Sequence, residues 1–319
     1  MRLLLPALTG ILLVASFPRV DQGYLAWVAF VPLLFFIARA ESAARAFAGG
    51  FLACAVQLFL LLIWMPPVLT AYGGLSEALA WTAYGIMVSA LACYAGAACA
   101  AAKLLAKRRG EACLLALPFL WVVSEYAQTF TPFGGFPWLL AGYTQSGRLE
   151  LMQVADLTGV YGVSFLILWV NAAAVWILLR RNRGLGAWGP AAAGLLLLAG
   201  CWVYGRLSLR PWDGAGKYYE AAMLQGDISI DDPEHVLTDK FQKGYVRMAD
   251  SLGPPEVDLL ILPESPSPVS FQYDPSYRRV FESLARRYAL GLVFNNIRFV
   301  EEGGKERHFN SAYFLDCNG

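Results

Sequence analysis

VYGVSFLILWVNAAAVWILL, residues 160–179, runs for 20 positions without an Asp, Glu, Lys, Arg or His. About 20 mostly apolar residues is the length of helix that crosses the hydrocarbon core of a bilayer. Arg180, Arg181 and Arg183 close the stretch, as basic residues do at a cytoplasmic membrane face. Asn171 lies in its middle, where an amide is expected to hydrogen-bond to a neighbouring helix. Working outward, six more stretches are comparably apolar: residues 3–17, 24–37, 46–65, 77–105, 112–128 and 188–204. The first is read as a retained helix rather than a cleaved leader, because no small-x-small cleavage site follows it and further spans do. Roughly the first two-thirds of the chain is therefore expected to be a bundle of about seven membrane helices.

Composition agrees. Hydrophobic residues make up 57% and charged residues 15%, against about 45–50% and about 25% in soluble domains. The charges are unevenly placed. From Asp213 onward there are 17 acidic and 11 basic side chains. An acidic, hydrophilic last third argues against nucleic-acid binding, which needs a basic face. The two histidines, His235 and His308, and six cysteines without a CxxC pair leave no metal-ligand spacing, and no cofactor is expected. Five of the cysteines lie in apolar runs, where cysteine is a small packing residue.

Loop charges orient the bundle. With a cytoplasmic N-terminus, inside loops hold ten Lys/Arg residues and outside loops two, Arg19 and Arg148. Seven spans then leave the soluble remainder on the extracytoplasmic side. The outside loop 129–159 is long and carries Phe133, Phe136, Trp138 and Tyr143 among glycines and prolines. Its aromatic residues suit the headgroup level, and the loop is expected either to lie at the interface or to dip inward and shape a lipid entry site. Glu125, near the outer end of the fifth span, reads as a group close enough to the interface to be solvated.

The remainder alternates strand and helix patterns, which implies an α/β layered domain. Strands are expected at 218–224, 258–262, 291–295 and 311–315, and helices at 233–252 and 275–289. The domain boundary falls between 1–210 and 211–319. Glu264 follows the apolar strand DLLIL (258–262) after one proline. Ligands collect beyond the carboxyl ends of strands in α/β sheets. A partly desolvated carboxylate there holds a proton more readily, which suits a general base.

The run DLLILPESP (258–266) resembles the glutamate motif of the nitrilase-type carbon–nitrogen hydrolase superfamily. GFPWL (135–139), GYTQ (142–145), Gln153, GVYGVSF (159–165), Asn171, LQGDI (224–228) and FNSA (309–312) are similar, in order, to segments of its membrane branch, the apolipoprotein N-acyltransferase family. The resemblance implies an αββα sandwich after the membrane domain, and an inner-membrane, multi-pass protein with that sandwich in the periplasm. It also implies acyl transfer from a phospholipid donor to the amine of a diacylglyceryl-cysteine lipoprotein. That chemistry uses a Glu–Lys–Cys triad: a base, a charge that stabilises the oxyanion, and a thiolate that carries the acyl group. Glu264 matches the base. Phe136 and Trp138 match the family's loop and are expected to contact substrate.

The lysine and cysteine have no match and are expected beyond Gly319, so the 319 residues alone are expected to be inactive. Cys317 lies in the turn-like DCNG (316–319), and Lys305 in a charged run that reads as a hairpin tip. Residues 231–235, DDPEH, lack a tryptophan that the family often carries, so any contact it makes is not carried over. Two other readings stand beside this one: a membrane-tethered nitrilase or amidase with water as acceptor, and a non-catalytic lipid-binding scaffold.

Overall fold

A computed structural model describes residues 3–131, 134–180, 184–209, 216, 218–226, 234–252, 257–264 and 269–319. Arg2, Phe133, Arg181, Arg183, Asp227-Ile228, 231–233 and Ser265-Pro266 lie outside the described residues. The chain divides into two compact units, Met1–Pro211 and Trp212–Gly319.

Among the described residues, the regular structure of the first unit is all helical. Its helices are α1 Leu4–Ser16, α2 Ala26–Ala29, α3 Val31–Arg39, α4 Ala43–Leu61, α5 Met65–Ala71, α6 Glu77–Arg109, α7 Leu117–Gln128, α8 Leu149–Met152, α9 Ala155–Thr158, α10 Val160–Arg180 and α11 Gly189–Ser208. All seven apolar stretches are helical. Four are long and apolar enough to cross a membrane: Ala43–Leu61, Glu77–Leu105, Val160–Arg180 and Gly186–Ser208. The other three form shorter apolar helices, at Leu4–Ser16, Gly23–Arg39 and Leu114–Gln128. The second of these is interrupted between α2 and α3 ahead of Pro32, which has no N–H to donate. Asn171 repairs the interruption from the middle of α10. Its Oδ1 accepts the Phe30 N–H at 3.0 Å, and its Nδ2 donates to Ala26 O at 3.0 Å. Thr9 Oγ1 accepts the Leu33 N–H at 3.1 Å. Asn171 is thus an interhelical hydrogen-bonding residue, as expected.

Small residues set the closest helix crossings. A Cβ added at Gly50 of α4 would lie 2.5 Å from the backbone oxygen of Ala95 in α6, and one at Gly10 of α1 would lie 2.5 Å from Ala53 O. Such approach is how helices associate where lipid supplies no hydrophobic drive between them. Phe30, Leu33, Ile37, Tyr84 and Leu91 fill the interior, while Leu195, Leu196, Ile86 and Val123 are exposed. A bundle apolar both inside and outside is one that faces lipid.

Among the described residues, the second unit is a four-stranded sheet with two helices. β1 Ala221–Met223, β2 Leu259–Ile261 and β3 Gly291–Glu302 are parallel, and β4 Lys305–Leu315 pairs antiparallel with β3, in the order β1-β2-β3-β4. α12 (Glu234–Ser251) and α13 (Pro275–Tyr288) contribute Phe241, Tyr245, Tyr277, Phe281 and Leu284 to one core with Leu260, Leu292 and Phe294 of the sheet. Asp274 caps α13 by accepting the Ser276 and Tyr277 N–H groups at 2.7 and 3.0 Å. Met223, Ile297 and Phe314 are exposed. They alternate with the core-facing residues and so lie on the sheet's other face. This is one β layer and one α layer of the expected sandwich class.

The last two strands are longer than expected. Residues 291–302 and 305–315 form one continuous hairpin, where only 291–295 and 311–315 read as strand. The charged run 301–307 hid the extension. Gly303 and Gly304, with φ of 61° and 73°, supply the two left-handed positions of a tight turn whose twist suits a hairpin.

Gly50→Val should disrupt the α4–α6 crossing. The expected result is a loss of about 1–3 kcal/mol or more, typical of overpacking, read as a lower Tm in detergent.

Candidate functional site

Two polar constellations stand out, one in each unit.

In the second unit, Leu262 extends the pairing of β2 by donating its N–H to Val293 O at 2.9 Å. Pro263 then fixes the turn, and Glu264 emerges at the carboxyl end of the parallel strands. The expected desolvation is not found: Glu264 is exposed. Its apolar strand is buried, but the turn carries the side chain clear of the core. The carboxylate is instead held by a hydrogen bond. Asn310 of β4 donates from Nδ2 to Glu264 Oε1 at 2.7 Å. Asn295 of β3 donates in turn from Nδ2 to Asn310 Oδ1, and to Ser311 O at 3.2 Å. Asn296, facing the opposite side, is buried and holds the segment that follows the glutamate. It accepts the Phe271 N–H at 3.0 Å and donates to Val269 O at 2.9 Å.

Neither Lys305 nor Cys317 joins Glu264 in a hydrogen bond or ion pair among the described residues. Lys305 opens β4 at the hairpin tip. Cys317 sits in a turn in which Asn318 N–H bonds to Asp316 Oδ1 at 2.9 Å, and Arg286 of α13 donates to Asn318 O at 2.6 Å. From Asn310 to the end of β4 at Leu315 is five residues, roughly 17 Å at strand rise. The LQGDI segment begins where β1 ends. At Gly226 a Cβ would stand 2.8 Å from the Tyr245 ring, so glycine lets that ring close over the strand end. Burial pushes the Tyr245 phenol above its ordinary pKa. His235 of the 231–235 segment lies in the first turn of α12, and its side chain lies outside the described residues.

In the first unit, the aromatic loop is fastened to the bundle rather than lying free. Gln128 of α7 donates to Phe136 O at 2.8 Å, and its own carbonyl accepts the Phe136 N–H at 2.9 Å. Gln57 of α4 donates to Leu139 O at 3.3 Å. Glu125 Oε1 accepts the Ala141 N–H at 2.9 Å and Trp121 Nε1–H at 3.0 Å. Ser164 of α10 accepts the Gly142 N–H at 2.8 Å, and Gln145 donates to Gly23 O at 2.7 Å. Gly135, at φ 96°, passes so close to Thr129 O that a Cβ would lie 1.8 Å from it. Leu139 adopts φ 61°, a conformation that a side chain makes costly, and the fastenings on either side hold it there.

Trp138 is left 51% exposed on this fixed backbone, while Leu140 is buried. The Trp138 ring stacks on Trp64 with centroids 6.0 Å apart, and lies 5.1 Å from Phe136. Glu125 is not the solvated interfacial group that its position in the sequence suggested. It is buried, because the loop folds back over it. Its Oε2 has no hydrogen-bond partner among the described residues, and Glu125 lines a small cavity of about 30 Å³ together with Gln57, Gln128 and Trp138. A cavity of that size holds a water molecule.

Sequence reading singled out Glu264, Phe136 and Trp138 as candidates but gave no role to Asn295, Gln57, Gln128 or Gln145. A polar side chain within or at the end of an apolar run was the available signal for Gln57 and Gln128. Asn295 carried none.

An apolar helical bundle and a mixed α/β sheet with a carboxylate beyond its parallel strands together define a membrane protein with an α/β domain. The sequence profile described as "Apolipoprotein N-acyltransferase N-terminal domain" matches residues 9–173, just over half of the chain. The apolipoprotein N-acyltransferase of Geobacter metallireducens is 36% identical over 98% of this chain and 60% of its own length. That of Chlorobaculum tepidum is 28% identical over 83% of this chain and 49% of its own length, and that of Methylococcus capsulatus 28% over 99% and 61%. The chain belongs to the apolipoprotein N-acyltransferase family. It spans about half to three-fifths of the length of these relatives.

Glu125→Ala should release the loop at Ala141 and cost about 1–3 kcal/mol, because a buried N–H loses its acceptor. Glu125→Gln keeps an acceptor and should stay within about 1 kcal/mol of the parent. Tm in detergent and protease sensitivity of the loop distinguish the two variants.

Proposed function

We propose that the intact protein is a lipoprotein N-acyltransferase. It moves a fatty acyl chain from a phospholipid to the free α-amine of a diacylglyceryl-cysteine lipoprotein. The observation that carries this reading is Glu264, a hydrogen-bonded carboxylate beyond the carboxyl end of β2, in a chain of this family. In the first half-reaction Glu264 takes the proton of a cysteine thiol, and the thiolate attacks the phospholipid's ester carbonyl. The ester C–O bond breaks, and the lysophospholipid oxygen leaves with that proton. In the second, the lipoprotein amine attacks the thioester carbonyl. An amide forms, the C–S bond breaks, and the amine's proton returns through Glu264 to the thiolate.

The thiol and the lysine that steadies the oxyanion are assigned to residues other than Cys317 and Lys305, neither of which is bonded to Glu264. The 319 residues by themselves are accordingly expected to show no transfer. Phe136 and Trp138 are assigned to contact with acyl chains or headgroups at the membrane surface, where rings with one polar edge are at home. The ten-to-two loop charge bias supports a cytoplasmic N-terminus in a bacterial inner membrane and a periplasmic α/β domain. Both substrates carry acyl chains that leave lipid at high cost, which is a reason for the bundle.

Glu264→Gln in the intact gene product should keep its fold and lower acyl-enzyme formation by about 10²–10⁴-fold, the scale of general-base catalysis. Thioester labelling from an acyl-tagged phospholipid measures it, and labelling at the parental rate would refute the role. Hydrolysis of small amides without acylation of a lipopeptide would favour the tethered-amidase reading instead.

A further inference from the structure

We propose that Asn310 is the positioning residue for the base, and that Asn295 sets its orientation, through the relay Asn295–Asn310–Glu264. This rests on Glu264 acting as the base. The register of the hairpin pairs Asn295 with Ala312 and Ile297 with Asn310. Residues opposite one another share a sheet face, and a diagonal neighbour two positions away lies on that face too. Asn295 and Asn310 therefore stand side by side on the face away from the Leu292–Phe294–Asn296 core. A cross-strand asparagine pair alone would be an ordinary ladder contact. The third member makes the difference, because Glu264 comes from another part of the chain, 46 residues away.

An asparagine amide can point either way round, and only one way helps. If Asn310 turned its oxygen toward Glu264, two acceptors would face each other. Asn295 prevents this. Its Nδ2 donates to Asn310 Oδ1, which commits Asn310 Nδ2 to Glu264 Oε1 at 2.7 Å. Asn295 Nδ2 is itself located by Ser311 O. The relay thus runs donor to acceptor in one direction, ending on the carboxylate. It ties down Oε1 of an exposed side chain that has little packing to hold it. Oε2 is the oxygen left to receive a proton, and no hydrogen bond to it occurs among the described residues.

The test uses the intact, membrane-extracted gene product with an alkyne-tagged phosphatidylethanolamine as acyl donor. Acyl-enzyme formation is followed across pH for the parent, Glu264→Gln, Asn310→Ala, Asn310→Asp, Asn295→Ala and the Glu264→Gln/Asn310→Ala double variant. Asn310→Ala should slow acylation about ten- to a hundredfold, the range for losing a hydrogen bond to a charged group. It should also move the acid limb of the pH profile upward. Asn310→Asp is nearly isosteric and puts a second carboxylate beside the first, so it should move that limb further still. Asn295→Ala should show a smaller effect of the same sign, and the double variant should be no slower than Glu264→Gln alone. A merely structural asparagine would lower Tm and leave the pH profile in place. If Glu264→Gln is inactive while both Asn310 variants keep the parental profile, the relay is refuted and the base stands. If Glu264→Gln acylates normally, the base assignment itself has failed. Should Asn310→Ala fold poorly, the pH profile of Asn310→Asp decides alone.

Discussion

Backbone amides inside a bilayer have no water to turn to, so each must find a partner within the protein. Regular helices meet this requirement without help. Interrupted helices and loops do not, and the first unit has both. The gap between α2 and α3 is closed by Asn171 and Thr9, each reaching in from another helix. The loop from Phe136 to Gln145 is closed by Gln128, Gln57, Glu125 and Ser164. Several polar side chains buried in this apolar bundle reach from regular helices to places where a neighbouring ladder stops. Their arrangement allows an irregular, aromatic segment to be built into a membrane protein.

The second unit meets a different constraint. Its sheet is packed on one face by α12 and α13 and carries Asn295 and Asn310 on the other. Core residues such as Phe281 and Phe294, stacked with centroids 4.0 Å apart, make the strands a rigid frame. The carboxylate proposed as the base, Glu264, is outside that core. Its position depends on a proline-limited turn from β2 and on an amide from β4 that Asn295 of β3 orients, so side chains from three strands converge on one carboxylate.

Much of this was legible beforehand, for a simple reason. Twenty apolar residues in a row have few other uses, so the helices at 43–61, 77–105 and 160–180 were readable directly. The interrupted helix at 23–39 was readable as apolar but not as broken, because the backbone groups freed at the break are satisfied by Asn171, more than a hundred residues on. Glu125 was misjudged because distance from the end of a helix says nothing about a loop folding back over it. The exposure of Glu264 was missed because an apolar strand suggests a buried end, whereas one proline is enough to turn the next residue outward. The hairpin from 291 to 315 was cut short because charged residues in exposed strands look like loops, and only the paired glycines marked the true turn. Asn295 could not have been singled out, since its significance lies in a diagonal contact that only the strand register creates.

The fastening of the aromatic loop also bears on the entropy of association. A mobile loop that closes on a ligand must be ordered as it binds, and that cost is deducted from affinity. Here the backbone on both sides of Trp138 is already immobilised, at Phe136 and at Leu139. Any lipid that meets the Trp138 ring encounters a surface whose ordering was completed on folding. Only side-chain freedom remains to be lost, about 0.5–1.5 kcal/mol for each side chain immobilised. Such a rim can engage and release a succession of fluid, disordered chains without itself passing between ordered and disordered states.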